Sequence, residues 1–148
     1  EKLIQDILEW HRERRQQMFK KVQSAIDISP TERLKMMGQF ILEDTVNDSI
    51  GHLSSIIGSD TAYLSAELQQ LISNYLDEYS AQFTRLLVPL LGDKDAPKVA
   101  EAIVSDYEGA AILARLKQSG RPIEDLINRL SNILSSPSLA RTYAGITS

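Results

Sequence analysis

The sequence predicts an all-α fold, an antiparallel helical bundle of five main helices plus one short helix, and three observations carry that prediction. Apolar residues recur at spacings of three and four along nearly every segment. No segment alternates cleanly enough between apolar and polar residues to read as a strand. Proline, glycine and serine breaks, at Ser29-Pro30, Gly92-Asp93 and Gly120-Pro122, fall between segments of helical length.

The first helix spans about 1–27, with Ile4, Ile7, Leu8, Met18, Val22, Ala25 and Ile26 on one stripe, and Ser29-Pro30 stops it. The same break opens the second helix: Ser29 is the N-cap, Pro30 takes the first helical position and Glu32 sits in the first turn, where the helix dipole favours an acid. Leu34, Met37, Ile41 and Thr45 mark its inner face, which fades near Asn47. Residues 49–60, apolar and flanked by Gly51 and Gly58, read as one or two helical turns lying across the bundle. Asp60 or Thr61 then caps a long helix carrying Leu64, Leu68, Leu71, Ile72, Tyr75, Tyr79, Phe83, Leu86 and Leu90. Pro89 cannot donate to the helical ladder, so a kink or stop is expected over 87–91, with Gly92-Asp93 as the break. Helices over about 95–119 and 122–135 follow, and 136–148 reads as a frayed tail. The organisation is therefore one unit over 1–135 and a C-terminal tail over 136–148.

Hydrophobic content of 43% and charged content of 24% over 148 residues suit one globular unit with a substantial core. There is no cysteine, which excludes disulfides and thiolate-bound metal. Neither a secretory leader nor an apolar run of about 18 residues is present, so a cytoplasmic location without membrane contact is expected. The net charge of −4 argues against this segment gripping nucleic acid by itself. The run HRERRQQMFKK at 11–21 is offset by neighbouring acids: residues 1–28 carry a net of +1 and the remainder −5, so the run reads as a solvated helix face.

Residues 107–130, YEGAAILARLKQSGRPIEDLINRL, are the most informative stretch. Gly109 sits mid-helix, where glycine costs about 1 kcal/mol relative to alanine, and a close helical neighbour is the usual compensation. Ile123, Leu126, Ile127, Leu130 and Ile133 form one stripe on the helix after the break. Two adjacent helices with small and apolar faces are suited to a dimer interface.

In this order of elements the chain resembles the C-terminal regulatory domain of TetR-family (tetracycline-repressor-like) transcriptional regulators. The resemblance rests on the "EGA … AR" stretch, the break and the last amphipathic helix within 107–130, supported by SPTERLKMMGQFI at 29–41 and by IGHLSSIIGSDTAYLSAELQQLI at 50–72. It implies a homodimer built on a four-helix core, with Gly109, Ala110, Ala111, Leu113, Leu116, Ile123, Leu126, Ile127 and Leu130 at the interface. It also implies a small apolar or amphipathic effector, and an N-terminal helix-turn-helix domain, absent from this chain, that binds operator DNA as a repressor. The chain would then begin inside the helix connecting the two domains.

No catalytic constellation is expected, nor a cofactor or metal site. His11 and His52 are the only histidines and lack ligand spacing, and the pairs Glu43-Asp44 and Asp77-Glu78 point to different helix faces. A ligand site has better support. His11 and Arg15 interrupt the apolar stripe of the first helix, with Trp10 and Arg14 on its margin; buried there, they either find partners in the core or line a cavity. Tyr75, Tyr79 and Phe83 stack at spacing four on the long helix, either as plain core or as pocket wall with hydroxyls to satisfy. Met18, Met37 and Ile41 complete the candidate wall, and His52 is a lid or transmission residue or simply packed. Tyr107 faces either the pocket or the dimer seam. The competing reading is a dimeric helical scaffold with a solid core.

Overall fold

The computed structural model describes residues 2–47 and 63–147. The described residues are all-helical: α1 (Lys2–Ser24), α2 (Pro30–Asn47), α3 (Ala66–Lys117), α4 (Arg121–Ile133) and α5 (Pro137–Tyr143). The expected short crossing helix at 49–60, with His52, Asp60 and Thr61, lies outside the described residues.

Local chemistry accounts for most helix ends. α1 stops at Ser24, three residues earlier than expected, and its buried positions Leu8, His11, Arg15, Phe19 and Val22 follow helical spacing. Ser29 Oγ accepts from the Glu32 backbone N–H at 3.2 Å, satisfying one of the free donors at the start of α2. Ser65 does the same for α3 through Leu68, at 3.1 Å. The break in α3 falls at Gly92 (φ 81°, ψ 171°), a backbone geometry suited to glycine, while the helix runs on through Pro89. α3 is thus two arms, 66–91 and 93–117. It ends at Gln118 in the left-handed region (φ 50°), whose N–H returns to the Ala114 and Arg115 carbonyls.

Both arms of α3, α2 and α4 enclose the main core, where Met37, Ile41, Phe83, Leu87, Ile103, Tyr107, Ala111, Ile123, Leu126 and Ile127 are buried and to which α1 adds Phe19 and Val22. Close approach of α2 depends on Gly38: a Cβ there would overlap the Tyr107 hydroxyl and meet Ile127 Cγ1 at 2.9 Å. A smaller cluster, Leu8, Leu68, Ile72 and Tyr75, joins α1 to the first arm of α3. Residues 137–143 are helical rather than frayed, because Ala140 is buried, Arg141 pairs with Asp95 at 2.7 Å and the Tyr143 hydroxyl donates to Asp106.

Candidate functional site

Helical spacing puts His11 and Arg15 among the inward positions of α1, so two polar side chains occupy places normally held by aliphatic ones. Arg15 is 3% exposed. Its guanidinium carbon lies 3.7 Å from the centroid of the Tyr79 ring and 5.3 Å from that of Tyr75, both on the first arm of α3. Its Nη2 is 3.6 Å from Glu108 Oε1 on the second arm. One arginine of α1 therefore touches both arms of α3, just below the small apolar cluster.

The hydrogen-bonding capacity here is far from filled. Among the described residues, Arg15 Nε and Nη1, the Tyr75 and Tyr79 hydroxyls, Gln82 Oε1 and Glu108 Oε2 are buried without a hydrogen-bond partner. Each such group costs about 1–3 kcal/mol, only part of which a cation–π contact returns. Burial opposes the charge on Arg15, but attraction from Tyr75, Tyr79, Glu108 and Asp44 outweighs it and holds the guanidinium protonated. Burial pushes the Tyr75 hydroxyl up to about 12, against the pull of Arg15. Burial likewise raises the Glu108 carboxyl above the ordinary range, with Arg15 and His11 drawing it partly back.

Two ion pairs flank this centre. On the α2 side, buried Asp44 accepts from Arg14 (Nη2 2.9 Å, Nε 3.1 Å), and its other oxygen is 3.7 Å from His11 Nδ1. On the outer side, Glu78 accepts from Arg12 Nε at 2.7 Å and Gln16 Nε2 at 2.5 Å. Burial would raise the Glu78 carboxyl, but these hydrogen bonds prevail and hold it below its ordinary range.

A cavity of about 10 Å³, lined by Arg12, Arg15, Tyr75, Glu78, Tyr79 and Gln82, lies within this polar centre. That is room for roughly one water molecule. Next to it a groove of about 470 Å³ runs between α1 and the first arm of α3, along Gln5, Leu8, Leu71 and Asn74. Arg12, Tyr75 and Glu78 line both, so the Arg12–Glu78 pair stands where groove meets cavity.

The structure gathers only some of the expected ligand residues. Tyr75 and Tyr79 are at the centre and His11 at its α2 edge. Trp10 is 46% exposed, with the Arg14 guanidinium 4.7 Å from its ring centroid, so Trp10 lies outside the centre, while Arg14 reaches its α2 flank through Asp44. Met37, Ile41 and Phe83 belong to the main apolar core, with half-buried Met18 packed against it. Tyr107 stacks on Phe83 at 5.9 Å and is 2% exposed, so it faces the interior and not an outer seam. Asp44, Gln82 and Glu108 are additions. Asp44 and Gln82 carried a legible signal, since each falls at an inward position of an apolar stripe.

The expected dimer residues divide. Ala110, Ala111, Ile123, Leu126, Ile127 and Leu130 are buried within the single chain, joining α3 to α4 and α2, and are not available to a second copy in this packing. Gly109, Leu113 and Leu116 face outward, Leu113 at 48% and Leu116 at 77% exposure. A Cβ on Gly109 would meet nothing within 4 Å, so its small size serves no neighbour among the described residues. Gly109 and Leu113 line an open groove of about 750 Å³ with Asp106, Pro122, Asp125 and Arg129.

Among the described residues no group of His, Asp or Glu could hold a metal ion, and no helix is long and apolar enough to cross a membrane. No family model, curated protein or solved structure matches the chain.

Proposed function

We propose that the chain is the effector-binding and self-association domain of a TetR-like transcriptional repressor. In this reading a small apolar or amphipathic molecule binds where α1 meets the two arms of α3. The observation that carries it is the unfilled hydrogen-bonding capacity around Arg15, bordered by a groove long enough to seat a ligand body. Stability alone gives little reason to keep a buried arginine, two buried tyrosine hydroxyls and a buried carboxyl so poorly partnered.

The mechanism follows from the position of α1. Entry past the Arg12–Glu78 pair separates α1 slightly from α3, since the pocket at Arg15 has room for only about one water. A ligand that binds the opened packing more tightly shifts the population toward it. With a DNA-binding domain joined ahead of α1, that tilt changes the spacing of two recognition helices in a dimer and weakens operator binding. The dimer contact in this reading is the outward face of Gly109, Leu113 and Leu116, not the buried residues of α4.

Trp10, the only tryptophan, lies on the helix that moves and reports the motion directly. Titrating the chain with amphipathic small molecules should change Trp10 emission in a saturable way, and Arg15→Gln should remove the response. Unchanged emission with a ligand shown calorimetrically to bind would contradict the tilt. For the dimer, Leu113→Asp with Leu116→Asp should convert a dimer to a monomer in sedimentation; a persisting dimer refutes that face.

The second reading, a pocketless dimeric scaffold, is favoured by the small volume of the cavity at Arg15. It predicts saturable binding of none of these molecules.

A further inference from the structure

The atoms left without partners around Arg15 are mostly donors, and this specifies the chemistry of the missing partner. We infer that the cavity at Arg15 is the head-group site of an amphipathic carboxylate, whose body lies in the groove between α1 and the first arm of α3. The inference rests on the reading of this joint as an effector site and adds the class of effector.

Arg15 offers Nε and Nη1, and Tyr75 and Tyr79 each offer a hydroxyl, all buried and without an acceptor among the described residues. A carboxylate has two oxygens with about four lone-pair positions, so it can take a guanidinium N–H and a phenol O–H on each oxygen. Arg15 Nη2 is directed to Glu108 at 3.6 Å, which leaves the rest of the fork for a second acid. A cationic head would lie against a guanidinium that is itself buried and protonated, where repulsion is weakly screened. A neutral alcohol has only one oxygen for four donor atoms.

The groove wall is acidic, with Asp6, Glu9 and Glu78 beside Arg12, which pairs with both Glu9 and Glu78, so the attraction for an anion is confined to Arg15 at the groove's inner end. Around the cavity, α1 contributes Arg12, Arg15 and, towards α2, His11; α2 contributes Asp44, already held by Arg14; α3 contributes Glu78, held by Arg12 and Gln16, and Glu108. Burial favours the protonated form of Glu108, and a second carboxylate beside it strengthens that preference. In its acid form Glu108 becomes one more donor towards the ligand. The small, planar carboxylate also needs the least widening of a cavity of about 10 Å³, compared with a tetrahedral phosphate or sulfate. In the groove an apolar body meets chiefly Leu71, which is 44% exposed, over buried Leu8 and Tyr75, with the polar rim of Gln5, Asp6, Glu9 and Asn74 around it, which suits an amphipathic rather than a wholly apolar ligand.

The test uses three probes with the same tail, octanoate, octanol and octylammonium, titrated calorimetrically into the chain at neutral pH. Octanoate should bind at least about tenfold more tightly than the other two, as expected for a charge-assisted pair. Arg15→Gln should weaken octanoate by about tenfold or more and leave octanol unchanged. If that variant does not fold, Tyr79→Phe removes one donor without changing shape and should weaken octanoate about threefold, as expected for loss of a single hydrogen bond. Leu71→Asp, at the exposed groove wall, should weaken octanoate and octanol alike. Octanol or octylammonium binding as tightly as octanoate, and competing with it, overturns the carboxylate assignment while the effector site stands. Absence of binding by all three overturns both.

Discussion

The two seams that α3 makes with its neighbours are opposites in chemistry. Its second arm meets α4 and α2 through Ile103, Ala111, Ile123, Leu126 and Ile127, all at most 3% exposed and all apolar. Its first arm meets α1 through Tyr75, Tyr79 and Arg15, with Gln82 and Glu108 alongside, where six polar atoms lack partners. Burying each aliphatic side chain of the apolar seam contributes about 1.5–3 kcal/mol. At the polar part of the other seam, ring contacts return only part of what the unfilled donors and acceptors cost, so the stability of that seam comes from the adjoining Leu8, Leu68 and Ile72 cluster. The lesson is a division of labour along α1 itself: Phe19 and Val22 anchor its C-terminal half in the main core and Leu8 its N-terminal half in the small apolar cluster, while Arg15 between them sits in a joint that something else can complete.

Five single substitutions test this contrast. Ile123→Ala opens a cavity in the apolar seam and should cost about 2–5 kcal/mol in chemical denaturation. A cost under about 1 kcal/mol would mean that the seam is loosely packed. Gly38→Ala places a methyl group against the Tyr107 hydroxyl and Ile127, and should cost about 1–3 kcal/mol despite the better helix propensity of alanine. Part of that loss should return with Tyr107→Phe added, because the hydroxyl is the first atom met.

Arg15→Met is the corresponding change in the polar seam. It removes the orphaned donors and the charge while keeping much of the volume, and Glu108 can follow by taking a proton. The expected change in stability is within about 1 kcal/mol of zero, in either direction. A loss above about 3 kcal/mol would make Arg15 a structural residue and erase the contrast between the seams.

The smallest effect is one of pH. The carboxyl of Glu108 is raised on folding, so its favourable contribution is complete below the unfolded carboxyl range and is lost as pH rises through the folded value. Glu78 is lowered, so its contribution is present above the unfolded range and lost as pH falls through the folded value. Glu108→Gln should therefore make the chain relatively more stable at neutral pH than at pH about 4, and Glu78→Gln relatively less. Parallel pH profiles for the two variants would contradict the opposite environments of these carboxyls.

The sequence made the helices legible because their apolar stripes and caps are local signals. Ser29 caps α2, and the break between the two arms falls at Gly92 as expected from its lack of a Cβ. What it hid was which neighbour each face meets. Ile123, Leu126 and Ile127 read as an intermolecular face because an amphipathic helix near the C-terminus shows that it needs a partner, not which one. Here α2 and α3 supply it. Helix propensity marks a mid-helix glycine as costly, but only the packing shows what lies beside it: Gly109 faces open space within the single chain, whereas Gly38 lies against Tyr107 and Ile127. At the candidate site His11 and Arg15 stood out as polar residues in an apolar stripe. Glu108, on the other arm of a helix that turns at Gly92, could be joined to them only in three dimensions.

The most direct test of the account is the ¹⁵N-resolved Nε–H resonance of Arg15 in a titration with octanoate. The account predicts a saturable shift and slower solvent exchange as this donor gains an acceptor, at the same concentration that changes Trp10 emission. An Arg15 Nε–H unchanged at saturating octanoate would contradict it.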